Sequence, residues 1–344
     1  MIKKAFLLAF SCVLLLTNGC GPEVSTEWLI PLNEVRDGGP GKDGIPSIDK
    51  PNFTDVASVN YLADDDLVFA FRVDDEIHVY PHRILDWHEI ANDEVGGFPI
   101  AINYCPLTGT GMGWNRIIDG KETTFGVSGL LYNSNIIPYD RKTDSNWSQI
   151  RLECVNGELS GTKPTIHQLV ETTWARMREM YPTAQVLTTE TGFSRDYNRY
   201  PYGAYREQES LFFPVSRTDG RLHAKERVFG VIRDERVKVY PFDSFPQARV
   251  IADQFGGQNL LIAGSKTDNF IMAFIKPNDS RSFTAIEITP GSAVIMQDDA
   301  GNQYDLFGRV VSGPRKGEQL ATADGFIGFW FSWIAFYPDV DIFE

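Results

Sequence analysis

The chain of 344 residues carries a formal charge of −14 at pH 7, with 42% hydrophobic and 12% aromatic residues. A surface this acidic repels phosphate backbones and anionic headgroups, which excludes nucleic acid as a partner. The apolar content is ample for a sizeable core, and the length fits two domains or one body of two lobes.

Lys3 and Lys4 precede an apolar run from Ala5 to Leu16, after which the chain reads Thr17-Asn18-Gly19-Cys20. A positive start followed by an apolar stretch too short to cross a bilayer is a bacterial export signal. A cysteine directly after a small residue at the cleavage point resembles a lipobox, although Thr17 stands where leucine is more usual. Residues 1–19 then form the leader and Cys20 the lipidated N-terminus; ordinary secretion is the rival reading. No later segment approaches the roughly 20 apolar residues of a membrane helix. The expected location is the bacterial cell envelope, facing the periplasm or the exterior, with the lipid as the only membrane contact.

Residues 20–60 are rich in turn formers, such as Gly38-Gly39-Pro40-Gly41, and read as a tether and irregular arm wrapped on the body. Alternating apolar positions from 67 to 79 around Asp74-Asp75 predict a hairpin. Pro81 suits the first turn of a helix over 82–93, ended by Gly96-Gly97, with a strand over 98–104 after it. Further short strands are expected at 112–118, 122–127 and 130–139, with a helix near 171–181. In the second half the pattern predicts a hairpin, a helix over 243–255, and strands at 259–264 and 270–275.

Residues 68–103 align without a gap to residues 228–263 at a constant offset of 160. Val68-Phe69, Asp74, Val79-Tyr80-Pro81, Asp93 and Gly96-Gly97 recur as Val228-Phe229, Asp234, Val239-Tyr240-Pro241, Asp253 and Gly256-Gly257. Trp174 with Tyr181-Pro182 is echoed by Trp330 with Tyr337-Pro338 at a different offset. The fold class read from this is a β-rich α+β protein of two tandem pseudo-repeat lobes, each with a β-hairpin, a helix and further short strands. The first lobe covers 61–190, a connecting segment 191–225, and a degenerate second lobe 226–344. Trp87-His88-Glu89 faces Gln247-Ala248-Arg249, and Cys105 faces Ser265, so any chemistry is assigned to the first lobe.

Cys105 opens a proline- and glycine-rich turn at the end of a strand, a position that exposes a side chain at a rim. In the expected layout the strand returns Cys105 toward the start of the 82–93 helix, where the dipole favours a thiolate. His88 is the second candidate for lowering the thiol pKa. Helical spacing puts Glu89 and Asp93 on one face, where they orient His88, hold a cation or face water. The bland alternatives stay open: Cys105 as a buried hydrophobe or half of a disulfide with Cys154, and His88 as a packing histidine. Cys154 reads as structural, His78 as a surface residue, and His82, His167 and His223 lack evident partners. A copper-like ion bound by Cys105 and His88 needs a further donor that the spacing does not name. Gly109-x-Gly111-x-Gly113 is a turn rather than a phosphate cradle, and Val127-Ser128-Gly129 is no nucleophile elbow.

Asp43-Gly44-Ile45-Pro46, Trp87-His88-Glu89-Ile90, Tyr104-Cys105-Pro106-Leu107-Thr108-Gly109, Tyr139-Asp140-Arg141 and Trp147-Ser148-Gln149 together resemble a family of exported proteins catalogued as domain of unknown function 3179. Many of its members have a second cysteine where this chain has Thr108, and some have selenocysteine at the site. The resemblance implies redox or soft-metal chemistry at Cys105, without a resolving thiol.

The expected function is therefore a thiol-dependent redox site at Cys105, served by His88, Glu89 and Asp93 and acting on a small-molecule or protein redox partner. Thr108, Arg116, Asp140, Arg141 and Trp147 are the candidates for lining its cleft. The alternatives are a copper-like or small-ligand binding module without turnover, and a structural protein of the envelope.

Overall fold

A computed structural model describes residues 27–344; the leader and the proposed lipidation site Cys20 lie outside them. The fold is β-rich. Among the described residues its α-helices are three single short elements: α1 (His82–His88), α2 (Trp174–Met180) and α3 (Trp330–Phe336). No described helix is long and apolar enough to cross a membrane.

Leu67–Val73 and Glu76–Pro81 form a hairpin about a two-residue turn, in which Asp74 takes φ 51°. Val170–Thr173 adds antiparallel on one side of that hairpin and Gln185–Leu187 parallel on the other. In the second half Arg227–Arg233 and Arg236–Pro241 pair in the same way, with Gly325–Phe329 antiparallel on one side and Val340–Ile342 parallel on the other. Helices α2 and α3 directly follow Thr173 and Phe329. A second sheet in the first half runs Ile90–Val95, Phe98–Cys105, Thr110–Asn115 and Ile166–His167, and Arg249–Phe255, Gln258–Ser265 and Phe270–Ile275 form a three-stranded sheet in the second.

Helix boundaries differ from the sequence expectation for identifiable reasons. The 82–93 helix stops at His88, and 90–95 is a strand. Gly96 and Gly97, with φ 55° and 78°, are the two positive-φ residues of a tight hairpin joining Val95 to Phe98, not a helix terminus. The 243–255 helix is replaced by a 3-10 turn, Phe242–Ser244, and the strand Arg249–Phe255. Pro246 donates no backbone hydrogen bond and disfavours a helical Phe245, and Gly256 and Gly257 repeat the hairpin turn. The 171–181 helix starts only at Trp174, because Val170–Thr173 is committed to the sheet; Thr173 Oγ1 then accepts the Arg176 N–H at 3.4 Å as a cap.

The apolar core crosses between the halves. Trp114, Phe125 and Trp147 pack with ring centroids 5.2–6.2 Å apart, in one cluster with Trp330 and Trp333. Each such aromatic pair contributes about 0.5–1.5 kcal/mol beyond its burial. The arm joins this body: Val35–Asp37 pairs with the edge of Phe125–Tyr132, and Ile48 bridges to Ala91. Between Leu187 and Arg227 the chain has no strand or α-helix and folds back over the first half. Lys225 anchors it: Nζ donates to the carbonyls of Tyr205, Gln208 (2.6 Å) and Ser210 (2.8 Å). Tyr205 in turn donates its hydroxyl to the Leu107 carbonyl at 2.9 Å.

Candidate functional site

Glu89 is the least ordinary residue of the first half. It terminates α1 with φ 58° and ψ −34°, a conformation that costs a non-glycine residue on the order of 1–3 kcal/mol. Its side chain is only 4% exposed, and Oε1 accepts the Tyr202 hydroxyl at 3.1 Å. Burial pushes the carboxyl up to about 7, with the Tyr202 hydrogen bond pulling the other way.

One turn earlier on α1, Asp86 is equally buried. Burial raises it to about 7, opposed by Arg206, whose Nη2 lies 2.6 Å from Asp86 Oδ1, and by Tyr104. Arg206 also donates to the Tyr104 hydroxyl at 2.8 Å and sits 4.1 Å from the Tyr200 ring centroid. Asp86 and Glu89 both line a cavity of about 320 Å³. Its walls are apolar, with Ile45, Leu107, Val127, Leu131, Ile136 and Phe213 among them; Trp87, Tyr202 and the exposed Arg195 complete it. Three separate stretches of the chain supply these walls: 38–45, 86–136 and 195–213.

Cys105 lies behind this wall. It ends its strand opposite Thr110, is fully buried, and packs in one cluster with Leu107, Leu131 and Ile136. Its Sγ lies 3.7 Å from the Ser134 carbonyl. The exposed, acidified thiol expected from the sequence is not what forms. Burial first, and the Glu89 charge second, push the thiol up to about 11, against hydrogen bonds from Thr108 and the main chain. The physical reason is the shortened helix: the Tyr104 N–H bonds the Glu89 carbonyl at 2.7 Å, so the strand meets the C-terminal end of α1 and not its N-terminus. Cys105 and Cys154 are both free and buried, so they form no disulfide.

Both ring nitrogens of His88 are bonded to groups other than the thiol. Nδ1 lies 2.7 Å from the Pro46 carbonyl and Nε2 2.7 Å from the Tyr197 hydroxyl, and burial lowers its pKa to about 4. It is a neutral packing histidine that ties the arm to the connecting segment. Asp93, on a strand rather than on the helix face with Glu89, binds His78 Nδ1 and the Tyr80 hydroxyl, each at 2.6 Å, and does not orient His88. His78 is correspondingly buried, not on the surface. Among the described residues, no three His, Cys, Asp or Glu side chains converge as a metal site, and His88 and Cys105 do not form the pair a copper-like ion needs.

The remaining candidates serve the scaffold. Thr108 Oγ1 lies 2.8 Å from Thr110 Oγ1 and accepts from Asn135 at 3.0 Å; Gln149 Oε1 accepts from Thr110 and Asn135, each at 2.7 Å, which closes a buried polar network. Arg116 donates to the carbonyls of Asp93 and Thr123. Asp140 accepts from Thr143 and from Trp147 Nε1, and Trp147 is core. Arg141 clamps the arm through Asp49 at 2.9 Å and Ser47 at 2.9 Å.

The family model for proteins of unknown function, DUF3179, matches residues 42–340. The chain belongs to the DUF3179 family. No curated protein and no solved structure matches it. In this DUF3179 protein the matched span contains the arm's contact with Arg141, every cavity wall except Gly38 and Pro40, and both of the hairpins described above. Sequence reading found Glu89 but missed Asp86, Tyr202 and Arg206. The one local signal was a pair of carboxyls three residues apart on α1; the tyrosines and arginines of 195–206 carried no period that pointed at them.

Proposed function

We propose that this protein is an exported, lipid-anchored envelope protein that binds a small, largely apolar ligand in the Glu89 cavity. The observation that carries this reading is Glu89 itself. A strained backbone and a buried carboxyl with one side-chain partner are both costly, and both occur where the chain encloses an apolar space. Structural packing alone is better served at such a position by glycine.

We further propose that the two halves are copies of one module. Matching strand orders around the two hairpins support this, as does a second cleft of about 370 Å³. Gln247, Thr267 and Glu287 line that cleft, each 160 residues after Trp87, Leu107 and Val127 of the first cavity. Polar side chains have replaced apolar ones, which supports leaving the apolar ligand to the first copy.

The thiol-redox reading has one observation in its favour: Glu89 is close enough for its charge to raise the Cys105 pKa, so the two groups share an electrostatic field. The burial and the high thiol pKa favour simple binding over it. Filling the cavity separates binding from no binding. Val127→Trp is expected to abolish the uptake of small aromatic probes by the folded protein, read by isothermal titration. Equal uptake by wild type and Val127→Trp would overturn the assignment.

A further inference from the structure

We propose that the ligand of the Glu89 cavity is a small primary amine with an apolar body, held as its ammonium ion by the Glu89 carboxylate. This rests on the cavity being a ligand site, as argued above.

The polar groups of the cavity are unevenly matched. Asp86 already has Arg206 at 2.6 Å. Among the described residues no cation lies within ion-pair distance of Glu89, and its side-chain hydrogen bond is the Tyr202 hydroxyl on Oε1, with none reaching Oε2. Arg195, at the rim, is exposed and leans over the Trp87 ring at 6.0 Å from the centroid. A buried carboxylate without a counter-charge is costly, and a ligand cation removes that cost by pairing with it. An ammonium group supplies three donors and no acceptor, which suits a site whose open group is an acceptor. The aromatic faces of Trp87 and Tyr202 in the lining favour a cation further, while the leucine, isoleucine and valine walls need an apolar body behind it. The net charge of −14 raises the local concentration of cations over anions at the surface.

The titratable and charged groups around Glu89 are Tyr202, bonded to it, Cys105, which feels its charge, and Asp86 and Arg195 in the same cavity lining, with Arg206 and Tyr104 behind Asp86. Burial brings both Glu89 and Asp86 to about 7, and Asp86 is held by Arg206.

The test is isothermal titration of the full-length protein with 2-phenylethylamine and its neutral isostere 2-phenylethanol. At pH 8 the amine is expected to bind about tenfold more tightly than the alcohol. Its affinity should fall about tenfold between pH 8 and pH 6 as Glu89 takes up its proton, while that of the alcohol stays flat. Glu89→Gln keeps the shape and is expected to lose about tenfold in amine affinity together with its pH dependence, with far-UV circular dichroism and thermal melting showing that the variant is folded. Alcohol binding equal to or tighter than amine binding, or amine binding indifferent to Glu89→Gln, would overturn the amine assignment and leave the cavity reading standing. Binding of neither probe to wild type would overturn both.

Discussion

The Tyr202 hydroxyl lies 3.1 Å from Oε1 of Glu89, joining residues 113 positions apart across the cavity wall. The connecting segment is thus bound to the end of α1 through a carboxyl whose proton is held more tightly in the folded chain than in the unfolded one. Folded pKa values of about 7 for Glu89 and for Asp86 exceed their ordinary values of 4.5 and 3.8.

The sign of the resulting pH dependence follows from linkage. A carboxyl raised on folding adds stability fully below its unfolded pKa and loses it as pH climbs through the folded value. Between roughly pH 4 and 7 the folded protein should therefore weaken with rising pH, by up to about 1.4 kcal/mol per unit for each group. Urea unfolding from pH 5 to 8 measures this, and Glu89→Gln should flatten about half of the slope. A rise in stability over that range would contradict the burial of both carboxyls.

Cys105 should resist alkylation. With its thiol fully buried and raised to about 11, iodoacetamide at pH 8 is expected to leave the native protein unlabelled. In denaturant, without reductant, Cys105 and Cys154 should each take one label, read by intact mass. Rapid native labelling at Cys105 would revive a reactive thiol.

Gln149 holds the polar network behind the thiol. Gln149→Leu removes the acceptor for Thr110 and Asn135 and the donor to the Asn103 carbonyl. Buried unsatisfied groups cost about 1–3 kcal/mol each, so a loss of about 3 kcal/mol is expected in chemical denaturation. A loss below 1 kcal/mol would mean that the network relaxes to find other partners.

Glu171, on the first half, pairs with Arg227 of the second at 2.6 Å, both carboxyl oxygens being buried. Arg227→Met should cost about 3–5 kcal/mol at pH 8, because it leaves the carboxylate uncompensated. The loss should shrink as the pH is lowered, because burial already raises the Glu171 carboxyl and its protonation removes the uncompensated charge. A loss independent of pH would place the cost in packing instead.

The hairpin about Asp74-Asp75 was legible because two-residue alternation around a turn is a local signal, whereas the hairpin about Gly96-Gly97 was not read. The same glycines misled the helix assignment: a pair at positive φ closes a hairpin as readily as it stops a helix, and only the pairing of Ile90–Val95 with Phe98–Cys105 tells the two apart. The site was half visible. Trp87-His88-Glu89 and Cys105 marked the place, but their relationship depends on how long α1 is and on which end of it the strand meets. Tyr202 and Arg206 arrive from an irregular segment more than a hundred residues on, and no periodicity in sequence announces such a return.

Lys225 gives that irregular segment an owner. Its ammonium gathers three carbonyls of the 205–210 stretch from a position beside the first strand of the second half, so one wall of the first half's cavity is latched from outside it. A fragment ending at residue 190 lacks Arg195, Tyr202 and Phe213 and so leaves the chamber open on that side. The smallest piece of this chain that keeps that wall latched must run through Lys225, and the shared cluster of Trp114, Trp147, Trp330 and Trp333 ties it further to the second half.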